Sequence, residues 1–142
     1  MDPQLTFTVE STDPTSNLNL QVKLNQETVF NGIVTDPVLI AIIPDTDEGA
    51  SKLTIELSGK TAADTQIDSN GNIIKDAVLK CSNFTIDDIN IDSLMTELST
   101  YTHDFNGTAE ETVSKFYGIM GCNGTVHLQF TTPIYLWLLE NT

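Results

Sequence analysis

Three stretches of the chain alternate apolar and polar residues with a period of two: Leu5-Thr-Phe-Thr-Val-Glu10, Leu18-Asn-Leu-Gln-Val-Lys-Leu24 and Lys52-Leu-Thr-Ile-Glu-Leu-Ser58. Successive side chains go to opposite faces only in an extended backbone, so each stretch is expected to be a strand with one face turned inward. Asn-Gly, the dipeptide best suited to the positive φ angles of a tight hairpin turn, occurs at Asn31-Gly32, Asn70-Gly71, Asn106-Gly107 and Asn123-Gly124. These pairs use four of the eight glycines, which predicts that glycine here punctuates a sheet.

Val38-Leu-Ile-Ala-Ile-Ile43 lacks the alternation and stops at Pro44, as expected of a central strand covered on both faces. Further strands are expected over Asp76 to Ser82, Phe84 to Ile91, Gly124 to Phe130 and Ile134 to Leu139. Two short helices interrupt them: one capped by Asp92 and running to Leu98, the other opened by the capping box Thr108-Ala-Glu-Glu111 and leading to Val113 and Phe116. The stretch from Thr61 to Asn72 is polar, has no periodicity and is expected to be an exposed loop. The reading is one all-β domain over 1–142, a β-sandwich or jelly roll of about eight strands with one or two short helices.

Twenty acidic residues stand against six lysines and no arginine, a formal net charge of -14. Such a surface repels phosphate backbones and lacks the guanidinium that reads guanine, so nucleic acid is not an expected partner. Its field favours solubility, divalent cations or a basic partner protein. The longest apolar runs are six residues, far short of the roughly 20 that a membrane-spanning helix needs, so a membrane is not expected either. The Met-Asp-Pro-Gln start carries acid where a secretory signal carries base, and synthesis in a cytoplasm is expected. Cys81 and Cys122 sit in no CxxC pair, which argues against zinc; two thiols acting as small hydrophobes are preferred to a bridge between them.

Asp68-Ser-Asn-Gly-Asn72 has oxygen side chains at the first, third and fifth places of a calcium loop, yet Ile73 and Leu79 stand where that loop needs glycine and a bidentate acid. A tight hairpin is the better reading. Asp64, Asp68, Asp76, Asp87, Asp88 and Asp92 make an acid-rich stretch from which a calcium site of separate loops can be drawn, and the spacing of Ile86, Ile89 and Ile91 predicts a bulge near Asp87 and Asp88. No nucleophile elbow is present and the histidines are only His103 and His127, so no catalytic residue is assigned and the chain is not read as an enzyme. Tyr101, His103 and Tyr117 are the candidate ligand-binding rings. Tyr135 and Trp137, in the almost wholly apolar Pro133-Ile-Tyr-Leu-Trp-Leu-Leu139, are the candidate interface, buried core being the other reading of that segment.

Asp64-Thr-Gln-Ile-Asp-Ser-Asn-Gly-Asn-Ile-Ile-Lys-Asp-Ala-Val-Leu-Lys80, Phe84-Thr-Ile-Asp-Asp-Ile-Asn-Ile-Asp92 and Phe116-Tyr-Gly-Ile-Met-Gly-Cys122 together resemble small virion proteins of tailed phages. The same pattern is similar to calcium-dependent β-sandwich carbohydrate-binding modules. The first resemblance implies a capsid decoration or tail appendage, made in the host cytoplasm, self-associating and seated on other virion proteins. The second implies a glycan ligand and calcium held at Asp64, Asp68, Asp87 and Asp88. No cofactor is expected otherwise.

Overall fold

The computed structural model describes residues 3–44 and 47–141; Met1 and Asp2, which begin the segment read for a missing secretory signal, lie outside the described residues. In chain order the strands are β1 (Leu5–Ser11), β2 (Asn19–Leu24), β3 (Glu27–Ile33), β4 (Val38–Ile42), β5 (Gly49–Ser58), β6 (Thr65–Ile67), β7 (Ile73–Asp76), β8 (Leu79–Ile86) and β9 (Ile89–Asn90). Helix α1 (Asp92–Leu98) follows, then β10 (Thr100–His103), β11 (Thr112–Lys115), β12 (Ile119–Met120), β13 (Gly124–Thr132) and helix α2 (Ile134–Glu140). A six-stranded sheet runs β11-β10-β13-β5-β2-β3, and a second sheet runs β12-β8-β1-β4 with β9 added to β8. An outlying ribbon pairs β6 with β7. The fold is all-β, as the alternation predicts, and carries two short helices.

The alternation also sets the sidedness. Leu5, Phe7 and Val9 of β1, Leu20 and Val22 of β2, and Leu53, Ile55 and Leu57 of β5 are all buried in one core cluster that draws on both main sheets. Phe7 and Phe84 stack across β1 and β8 with ring centres 4.7 Å apart. Each such side chain contributes about 1.5–3 kcal/mol through burial, so the in-out pattern outweighs any single turn residue in fixing the register.

Several expected elements take a different form. Val38 to Ile43 is an edge strand: among the described residues β4 pairs only with β1, burying Ile40 and Ile42 while Leu39 and Ile43 stand outside. Its run of aliphatic residues hides an ordinary one-sided alternation. Ile134 to Leu139 forms the helix α2 instead of a strand, because Ile134, Trp137 and Leu138 fall on one face at helical spacing and are buried together. The expected helix over residues 108–116 is absent. There the chain makes a turn and then β11, since the ladder with β10 supplies tertiary hydrogen bonds that a two-turn helix cannot match.

The strands expected at Asp76 to Ser82 and Phe84 to Ile91 also divide differently. β8 runs through both, with a bulge at Asn83, whose φ is 55°, so that two β8 residues oppose Phe7. The irregularity expected at Asp87 and Asp88 is a two-residue hairpin turn: both have positive φ, 48° and 70°, and Ile86 pairs with Ile89. Helix α1 is present as expected, but Asp92 is its first residue, and the carboxylate accepts the Phe84 N–H at 2.8 Å instead of capping. The Thr61 to Asn72 segment carries β6 and part of its turn to β7, exposed along most of its length.

Candidate functional site

β10 brings two of the three candidate rings together. Tyr101 and His103 are two residues apart on one strand face, their ring centres 4.7 Å apart, and Phe105 continues the row 4.6 Å beyond His103. Tyr101 is buried, its hydroxyl donates to the Cys122 carbonyl and accepts the Cys122 N–H at 3.0 Å, and burial pushes the phenol up to about 12. It is therefore a structural anchor, and the accessible part of the row is His103 and Phe105. The Phe105 N–H donates to His103 Nδ1 at 3.3 Å, which holds the imidazole over the turn. Tyr117 stands elsewhere, exposed at the rim of a hollow of about 180 Å³ that Met95 and Thr96 of α1 help to line.

The four candidate metal aspartates occupy three separate turns: Asp64 before β6, Asp68 between β6 and β7, and Asp87 with Asp88 between β8 and β9. Asp64 Oδ2 accepts the Thr61 N–H at 2.8 Å, ahead of β6. Asp68 Oδ1 accepts the N–H groups of Asn70 and Asn72, both at 2.9 Å, and these bonds draw its carboxyl below the ordinary value. The carboxylate shapes the β6–β7 hairpin, so Asp68 to Asn72 is a tight turn. Asp87 Oδ1 accepts the Gln4 N–H at 2.9 Å, and Asp87 and Asp88 border a hollow of about 230 Å³ beside the paired hydroxyls of Thr6 and Thr85. Among the described residues no three His, Cys, Asp or Glu side chains come together as a metal-holding group.

A buried polar node joins the ribbon to the main sheets. The Lys60 ammonium, its side chain almost wholly buried, donates to Asp76 Oδ1 at 2.6 Å and to the Gly121 carbonyl at 2.5 Å. Asp76 also accepts from Thr65 Oγ1 at 2.7 Å, and Asn123 clamps the Lys60 backbone from both sides. Nearby, Cys122 is half-buried and Cys81 is buried; both are free thiols, and burial raises each, Cys81 to about 12. His127 lines a shallow hollow with Lys52, Leu98 and Thr100, where partial burial and then the Lys52 charge lower its pKa.

Comparison with protein-family models, curated proteins and solved structures finds no match to this chain. Its surfaces must be weighed by their own chemistry.

Of the candidate interface pair, Trp137 is buried against Phe130 at 5.9 Å between ring centres, whereas Tyr135 is 40% exposed. The outer face of α2 is otherwise made by Leu136 and Leu139, which are 54% and 71% exposed. Beside it lies a hollow of about 500 Å³ whose walls include Ile89, Ile91, Leu94, Leu138 and Leu139. Leu136 and Leu139 carry no signal in a strand reading. Reading residues 134–140 at the helical period separates Ile134, Trp137 and Leu138 from Tyr135, Leu136 and Leu139 and finds them. Trp137 also borders a hollow of about 340 Å³ on the six-stranded sheet, rimmed by Asn25, Lys52 and Gln129.

Proposed function

We propose that this chain is a non-enzymatic structural protein of a virion, a capsid decoration or tail appendage that works through assembly contacts. The observation that carries the reading is the outward face of α2. Three large apolar side chains stand in solvent on a helix whose opposite face is locked into the core, and an apolar hollow adjoins them. Contiguous apolar surface on an otherwise strongly acidic protein is costly unless a partner covers it. Rigid mounting suits assembly, because little ordering entropy remains to be lost when the surfaces meet. The resemblance of residues 60–125 to small virion proteins supplies the setting.

The test is light scattering on the purified protein together with mass spectrometry of purified particles. Self-association or a place on the particle is expected, and the double substitution L136D/L139D should abolish it while leaving thermal unfolding within about 1 kcal/mol of the parent, as exposed substitutions do. A strict monomer that is also missing from particles would remove the proposal.

One observation favours a second reading as a calcium-dependent carbohydrate-binding module: the accessible edge of the His103 and Phe105 row beside the polar turn at residues 104–109. Calorimetry against a glycan panel, with and without chelator, decides it. Heat that disappears in H103A and F105A would favour the module, and a silent panel would leave the assembly reading alone.

A further inference from the structure

β4 has an open hydrogen-bonding edge whose direction can be worked out residue by residue. Asp87 donates its N–H to the Gln4 carbonyl at 3.0 Å, and Thr12 donates to the Val78 carbonyl at 3.0 Å, so the even-numbered positions of the β1 segment face β8. In an antiparallel ladder successive residues hydrogen-bond to opposite sides, so Leu5, Phe7 and Val9 face β4. Their partners there are Ile42, Ile40 and Val38. Leu39 and Ala41 therefore direct their N–H and C=O groups away from β1, and among the described residues no backbone group pairs with them.

The side chains on this edge are unguarded as well. Residues 38–43 carry no charge, Leu39 is 69% exposed, and Pro37 and Pro44 bound the strand. Solvent-facing edge strands are ordinarily protected by an inward charge, a proline or a bulge within the strand. Here the charges lie only at the ends: Asp36 before the strand, Asp47 and Glu48 after it, all exposed. Two copies of β4 paired antiparallel would bring Asp36 of each toward the acidic end of the other, which disfavours a second copy.

We propose that β4 is an acceptor edge for an extended segment of another protein, apolar at alternate positions and carrying lysine or arginine at both ends. Main-chain bonds to Leu39 and Ala41 supply affinity, and the flanking acids supply selectivity and faster encounter. The inference rests on β4 alone and does not depend on the α2 face.

The probe is an acetylated, amidated peptide of six alternating valines and threonines with two lysines at each end, compared with the same peptide ended in glutamates. Amide hydrogen exchange on the full chain should show Leu39 and Ala41 slowed about tenfold or more by the lysine-ended peptide. At low salt the glutamate-ended peptide should bind about tenfold more weakly, a gap that closes as salt screens the ends. A41P removes an outward N–H without touching the β1 ladder and should abolish binding, whereas L136D/L139D should not alter it. Should A41P unfold, a peptide N-methylated at alternate residues must fail to bind the parent protein. No protection at Leu39 and Ala41, equal binding of the two peptides at low salt, or protection that appears without peptide as protein concentration rises would each overturn the proposal, the last by showing a second copy on the edge.

Discussion

Lys60 and Lys75 show how location decides what one ion pair contributes. Lys75 meets Asp13 at 3.1 Å on the surface, where water and salt screen the pair, while Lys60 meets Asp76 at 2.6 Å with its ammonium enclosed and also holding Gly121. Removing Lys60 leaves the Gly121 carbonyl without its donor and the part-buried Asp76 carboxylate with Thr65 alone. K60A is expected to cost about 3 kcal/mol in urea unfolding, against under about 1 kcal/mol for K75A. Equal losses would mean that the enclosed node has no special role. Nothing in the sequence distinguishes Lys60 from the other five lysines; the enclosure comes from Gly121 and Asn123, about sixty residues away in the chain.

At the scale of elements, the four Asn-Gly pairs separate into different physical uses. Asn70-Gly71 and Asn106-Gly107 lie in turns, with φ of 83° at Gly71 and 86° at Gly107. Asn31-Gly32 lies inside β3, where an added Cβ would rest 3.6 Å from the Phe30 ring, and the β2–β3 turn instead uses Asn25, with φ of 56°. Gly124 opens β13 where a Cβ would meet the Thr102 carbonyl oxygen at 2.4 Å, so its glycine answers a close approach of β10. G124A is expected to destabilise by about 2 kcal/mol and to raise amide exchange along β10, whereas G32A should stabilise by about 0.5 kcal/mol. Thermal unfolding of the two variants checks this, and matching shifts of one sign would refute the distinction. The dipeptide alone cannot reveal it, since turn chemistry and close packing both demand glycine.

For the whole molecule, net charge and shared core pull in opposite directions. Twenty acids against six lysines leave most carboxylates without a cation, and only two ion pairs form among the described residues. Self-repulsion of this kind weakens the compact state and is relieved by screening. Raising NaCl from about 10 mM, where charges act across about 30 Å, to about 300 mM should raise the melting temperature by several degrees. Because residues of both main sheets lie in one core cluster, the same experiment should show one cooperative transition. A melting temperature that falls with salt, or sheets that melt separately, would contradict this balance.

Period-two alternation determined the class of fold, because burying one face of Leu5 to Glu10, Leu18 to Leu24 and Lys52 to Ser58 is favourable only in sheets. The acid-rich stretch and its Asn-Gly turn were likewise legible, since Asp68 shapes that hairpin through bonds to residues two and four places on. Two runs that are apolar at almost every position were not. Val38 to Ile43 satisfies a central strand and an edge strand equally, and Ile134 to Leu139 satisfies a strand and a buried-face helix equally, so only the tertiary partners chose. That choice placed Leu39 and Ala41 on an open edge and Leu136 and Leu139 on an outer face, and both candidate contact surfaces arise from it.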